Sequence, residues 1–123
     1  MDSDQRKPAR ILIVEDEPML ALTLEETLVD AGFEIAGVAG TLDKALALIE
    51  SAGCDAAIVD ANLNGISATP VAAALTARGL PFIVMSGYSP GQQPEVLRAT
   101  PLIQKPCRAE RLIEALQDVL SKR

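Results

Sequence analysis

The chain has 123 residues, the length of one domain, and 49% of them are apolar, which excludes a disordered chain. Aromatic residues make up only 2% and the net charge is -6, so neither a stacking platform nor a basic surface for nucleic acid is present. There is no His, which removes His-based nucleophilic triads, His-bearing zinc sites and any phosphohistidine-carrier role. No apolar run approaches the ~20 residues of a membrane span. The polar stretch Met1 to Arg10 lacks a signal-peptide core, so a cytoplasmic location is expected. Cys54 and Cys107 are the only cysteines and are read as reduced thiols used for packing.

Residues 1–9 read as a flexible polar tail, and 10–123 as the domain. Ile11-Leu12-Ile13-Val14 is a short apolar run of the kind found in strands buried on both faces, and it ends at Glu15-Asp16-Glu17-Pro18. Pro18 suits a first helical turn; Ala21, Leu24, Leu28 and Ala31 keep helical spacing, and Gly32 is a natural stop. Glu17 is read as a favourable charge at that helix start. Glu34 to Ala39 predicts a second strand. Thr41 is placed to cap a helix with Leu42, Ala45, Leu46 and Ile49 on its buried face, ending at Gly53.

Ala56-Ala57-Ile58-Val59 predicts the third strand, stopping at Asp60, and Ala61 to Ser67 reads as a polar loop. Thr69-Pro70 opens a third helix carrying Val71, Ala74, Leu75 and Arg78, closed by Gly79. Pro81 to Met85 predicts the fourth strand, ending at Ser86-Gly87. A Gly- and Pro-rich loop runs to Pro94, followed by a short helix to about Ala99. Leu102-Ile103-Gln104 is the fifth strand, ended by Lys105-Pro106, and Leu112, Ile113, Leu116, Val119 and Leu120 mark the last helix.

Five alternating strand–helix cycles predict a parallel sheet with helices on both faces, whose ligands bind beyond the carboxyl ends of the strands. The residues there are Glu15, Asp16, Asp60, Ser86 and Lys105. Three carboxylates on one edge would repel one another unless a divalent cation joined them, and hard oxygen donors suit Mg²⁺. Lys105 and Ser86 would stand opposite that ion, so that a phosphoryl group could lie between metal, ammonium and hydroxyl. Among these residues, the nucleophile so placed is an Asp carboxylate, which can form an acyl phosphate.

Four segments carry a family resemblance in family order: Ile-Leu-Ile-Val-Glu-Asp-Glu (11–17), Ile-Val-Asp-Ala-Asn-Leu-Asn-Gly (58–65), Val-Met-Ser-Gly-Tyr (84–88) and Gln-Lys-Pro (104–106). From about Arg10 onward the chain resembles the receiver domain of two-component response regulators. The resemblance implies a flavodoxin-like α/β fold, a doubly wound (βα)5 sheet of order 2-1-3-4-5. It implies Asp60 as phosphoacceptor, Asp16 as direct metal ligand, Glu15 as its partner, often through water, and the backbone carbonyl of Asn62 as third protein ligand. Ser86 matches the hydroxyl that turns toward the phosphate, and Lys105 the ammonium that pairs with it. The implied partners are a histidine kinase or histidine phosphotransfer protein upstream and a target protein downstream, with no nucleic acid and no membrane. The domain would be no enzyme beyond assisting its own phosphorylation and dephosphorylation.

Leu102 stands where the family usually has its switch aromatic, so the Gly- and Pro-rich segment from Gly87 to Pro94 is the expected carrier of a switch. Leu102 and Ser86-Gly87-Tyr88 are similar to the atypical receivers named for a Phe-Ala-Thr-Gly stretch (FAT GUY), which Val84 and Met85 do not match. Tyr88 is read equally as a loop-packing residue or a switch residue, and Cys107, near a helix start, as a thiol with some thiolate character.

Rival functions are weaker. Glu-Asp-Glu-Pro after the first strand would repel a dinucleotide pyrophosphate. Asn62, two residues past Asp60, cannot replace the general-acid Asp of a haloacid-dehalogenase-type phosphatase. A phosphorylation-independent pseudo-receiver is the alternative reading; Glu15, Asp16, Ser86 and Lys105 argue against it and Leu102 leaves room for it. Taken as complete, the chain is expected to signal by contact alone; taken as a piece, it is expected to serve a longer regulator or a hybrid kinase.

Overall fold

A computed structural model describes residues 8–51, 53–87, 102–105 and 107–121. Strand β1 is Arg10–Val14, helix α1 Pro18–Asp30, β2 Glu34–Ala39, α2 Leu42–Ser51 and β3 Ala56–Asp60. Two short strands follow, β4 Asn62–Leu63 and β5 Ile66–Ser67, then α3 Thr69–Ala77, β6 Phe82–Ser86, β7 Leu102–Gln104 and α4 Ala109–Ser121. The main sheet has the order β2-β1-β3-β6-β7 and every pairing in it is parallel. This is the flavodoxin-like doubly wound order 2-1-3-4-5 expected from the sequence, with β6 and β7 as its fourth and fifth strands.

The uniform apolar runs have a direct cause. β1, β3 and β6 are interior strands, and all but Arg10 of their residues are buried. Side chains alternate between faces with period two. Leu12, Val14, Ala57, Val59, Phe82 and Val84 meet Ala45 and Ile49 of α2 and Val71, Ala72 and Leu75 of α3 on one side. Ile11, Ile13, Ile58, Ile83 and Met85 meet Leu24 and Leu28 of α1 and Leu112 and Leu116 of α4 on the other. Each fully buried Leu, Ile or Val contributes roughly 1.5–3 kcal/mol. β2 is an edge strand, and of its residues only Ala39 is fully buried.

Helix α1 starts with Pro in its first turn and stops at Gly32, whose φ of +96° closes a Schellman end. There the Phe33 N–H bonds the Leu28 carbonyl and the Gly32 N–H bonds that of Val29. That geometry places Ala31 at the exposed cap rather than on the buried stripe the spacing gave it. Thr41 caps α2 as expected, its hydroxyl accepting the Lys44 N–H at 3.2 Å. Arg78 is the exposed C-cap residue of α3, and Ala72 takes the inward place beside Val71 and Leu75.

The loop expected over Ala61 to Ser67 is a β-hairpin. Asn62 pairs with Ser67 and Leu63 with Ile66, and the turn residues Asn64 (φ 54°) and Gly65 (φ 85°) both have positive φ, as a type I′ turn demands. Leu63 and Ala68 are buried, so the segment is tied into the core rather than lying free on it. The short helix expected to end near Ala99, most of the Gly- and Pro-rich segment, Tyr88 and Pro106 lie outside the described residues.

Candidate functional site

β1 and β3 end side by side, since Val14 pairs with Val59, and this sets Glu15 and Asp16 next to Asp60. One carboxylate oxygen from each of the three lies within 4.8 Å of the others. Glu15 and Asp60 are buried and Asp16 is half-exposed. The Glu15 N–H donates to the Ala39 carbonyl at 2.9 Å, so the strand ladder continues through it and fixes its direction. The Glu17 N–H donates to Glu15 Oε2 at 3.1 Å.

Lys105, the residue after β7, completes the group. Its Nζ lies 3.1 Å from Asp60 Oδ2 and 3.2 Å from Glu15 Oε1. The Lys105 N–H donates to the Ser86 carbonyl at 2.7 Å, so the end of β6 holds the lysine backbone in place. Ser86 itself is buried, 1% exposed. The lysine side chain also lines a cleft of about 250 Å³ between α1 and α4, with Leu20, Leu24, Met85, Cys107 and Leu112. All four sequence-predicted side chains at the strand ends, and Ser86 beside them, therefore reach one edge of the sheet.

The electrostatics follow the crowding. Burial, and next to it the charge of Asp60, push the Glu15 carboxyl up to about 7, against the opposing pull of the Glu17 N–H and Lys105. Burial also acts upward on Asp16, but the Asn64 N–H and further hydrogen bonds outweigh it and hold its carboxyl below the usual range. Burial pulls Lys105 down; Asp60 and Glu15 more than reverse this, so the ammonium is held above its ordinary value. Burial pushes the Cys107 thiol up, and Arg111 and Lys105 do not offset it. Burial thus outweighs its position before α4, and the thiol packs against the α1–α4 side of the core as a packing residue would.

Sequence reasoning missed the hairpin's part in the site. The Asn64 N–H donates to Asp16 Oδ2 at 2.9 Å, the Gly65 N–H to Asn62 Oδ1 at 2.7 Å, and the Asn62 N–H to Asp60 Oδ1 at 3.2 Å. The Asn64-Gly65 dipeptide was the available signal.

A parallel sheet of this order, with three carboxylates and a lysine at its carboxyl edge, is the arrangement expected of a signalling receiver. Residues 11–117 match the response regulator receiver domain family, and the chain belongs to it. It is a receiver domain of the two-component type, a class of signalling domains that are generally non-enzymatic. The transcriptional regulatory protein PdtaR of Mycobacterium tuberculosis is 32% identical over 127 residues, which cover 98% of this chain and 61% of that protein. The chain thus spans about three-fifths of that relative's length. Among solved structures, SdrG from Sphingomonas melonis Fr1 is 40% identical, with a TM-score of 0.81, covering 94% of this chain and 99% of that one. The BeF3-activated conformation of SdrG from Pseudomonas melonis Fr1 is 42% identical, with a TM-score of 0.78 and coverage of 90% and 95%. No described helix is long and apolar enough to cross a membrane.

Proposed function

We propose that this domain takes a phosphoryl group onto Asp60 from the phosphohistidine of a histidine kinase or phosphotransfer protein, and signals by contact with a target protein. The observation that carries the reading is the arrangement around Asp60: Lys105 Nζ lies at 3.1 Å, and one oxygen each of the Glu15 and Asp16 carboxylates lies within 4.8 Å. The donor set is all hard oxygen and crowded enough to raise Glu15 to about 7, which fits a small divalent cation better than bare carboxylates. Glu15, Asp16, Asp60 and the Asn62 carbonyl would hold Mg²⁺, whose charge offsets that of the phosphoryl oxygens.

The remaining chemistry belongs to the chain. Asp60 is the nucleophile: a P–O bond forms to its carboxylate as the P–N bond to the donor imidazole breaks, and the imidazole leaves with the electron pair and is then protonated. Lys105 is released from Asp60 to pair with a phosphoryl oxygen, and the buried Ser86 hydroxyl stands at the end of the neighbouring strand to donate to another. Asp60 and Ser86 are buried and Lys105 is partly so, which limits the bulk water that could dilute their interactions. The BeF3-activated form of SdrG supports the reading, since trifluoroberyllate is a tetrahedral stand-in for a phosphoryl group.

Asp60→Asn tests it. The side chain keeps its shape, so the protein should fold and melt like wild type. Acid-labile label from a small phosphodonor with Mg²⁺ should disappear. Full labelling of Asp60→Asn would reject the assignment.

A further inference from the structure

The hairpin Asn62–Ser67 contributes more to the acidic site than the Asn62 carbonyl, and three observations converge on its turn. First, the Asn64 N–H is the donor that fixes Asp16, across 48 residues of sequence, at 2.9 Å from Oδ2. This bond joins the loop after β1 to the loop after β3. Second, the turn sets the phase of the ladder. In a two-residue hairpin the residues flanking the turn, here Leu63 and Ile66, form the hydrogen-bonded pair. The Ala68 N–H donates to the Ala61 carbonyl at 3.0 Å, so Ala61 and Ala68 hydrogen-bond as well. Asn62 and Ser67 between them are the non-hydrogen-bonded pair, and the Asn62 carbonyl points away from the partner strand. Third, the Asn62 side chain is spent on the turn itself, its Oδ1 accepting the Gly65 N–H at 2.7 Å.

We infer that the Asn64-Gly65 turn is the positioning device of the metal site: it aims the Asp16 carboxylate and the Asn62 carbonyl at one point, and Asn64 and Gly65 are positioning residues for Mg²⁺. The inference rests on the reading of the acidic cluster as a Mg²⁺ site. It assigns Asn64 a role through its backbone alone, and Asn62 Oδ1 a structural role rather than one in holding water. Mg²⁺ demands near-ideal octahedral geometry whereas Ca²⁺ accepts irregular sets, so a loosened site loses Mg²⁺ more than Ca²⁺.

The test compares wild type with Asn64→Gly, Asn64→Pro and Gly65→Val, titrating Mg²⁺ and Ca²⁺ separately by calorimetry and by amide shifts. Glycine keeps the N–H and the positive φ, so Asn64→Gly should bind Mg²⁺ as wild type does. Proline removes the donor and cannot take φ 54°. At Gly65 a Cβ would meet nothing within 4 Å, so Gly65→Val acts through φ 85° alone and serves where Asn64→Pro does not fold. Both disruptive variants should bind Mg²⁺ about 10- to 100-fold more weakly, as loss of a residue supporting a metal ligand does, with a smaller loss for Ca²⁺. Wild-type Mg²⁺ affinity and an unchanged Mg²⁺/Ca²⁺ ratio in folded Gly65→Val would overturn the inference while leaving the metal site standing. Absence of Mg²⁺ binding by wild type itself would overturn the metal site, and the inference with it.

Discussion

Folding changes the ionisation of Glu15. Its carboxyl rises to about 7 because it is buried against Asp60, so the folded, metal-free protein holds a proton there that the unfolded chain releases near 4.5. The sign follows. Below the unfolded value both states are protonated and nothing is lost. Between about 4.5 and 7 the folded state binds more protons, so stability falls as pH rises, and above the folded value the loss levels off. Each pKa unit corresponds to about 1.4 kcal/mol. Urea midpoints in chelator should therefore decline from pH 5 to pH 7 and then flatten, on the order of a few kcal/mol at most. Mg²⁺ should remove most of the decline by favouring the ionised form, and Glu15→Gln should flatten the chelator curve. A flat profile for metal-free wild type would show that Glu15 titrates normally. Asp16, held below its usual range, loses its contribution only in stronger acid and does not enter this window.

Among the elements, α1 joins core and site: its first turn follows the acidic pair, and Leu24 and Leu28 pack under the sheet. Leu28 is 0% exposed, so Leu28→Ala should cost about 2–5 kcal/mol, read as a lower denaturant midpoint with an unchanged slope. A loss under 1 kcal/mol would mean that α1 closes the cavity by moving. The elements legible in the sequence are those whose burial leaves a repeating mark. Residues 11–14 of β1 and 56–59 of β3 are uniformly apolar because both their faces are covered; the bounds of β7 match the apolar run that predicts it; and α4 shows its inward stripe at Leu112, Leu116 and Val119. The hairpin left no such mark, since two strands of two residues are too short for a period. Only its turn chemistry, Asn followed by Gly, encoded it. The strand-end rule put Glu15, Asp16, Asp60, Ser86 and Lys105 on one edge; it could not give the contact of Lys105 with Glu15, 90 residues apart, because nothing local records which carboxylate a lysine reaches.

At the scale of the whole molecule, two apolar layers sandwich a sheet whose carboxyl edge gathers nearly all the buried charge. The only buried charged residues among those described are Glu15 and Asp60, and both contact Lys105. Because the helices fill both faces with Ala, Val, Leu and Ile, the 2% aromatic content costs the core nothing in continuity. The acidic net charge of -6 leaves the surface suited to basic patches on partner proteins.

The edge is assembled from residues 15, 16, 60 and 105, far apart along the chain. Such a site exists only once β1, β3 and the hairpin are together, and long-range pairing of this kind comes late in a parallel-sheet topology. A ligand that needs the finished edge gains nothing from a partly formed one. Mg²⁺ should therefore act on one arm of the folding chevron: refolding rates in urea jumps should be unchanged by the ion, and unfolding should slow in proportion to the added stability. If Mg²⁺ instead accelerates refolding, the strand ends carrying Asp16 and Asp60 meet before the barrier, and the edge is part of the nucleus rather than its last product.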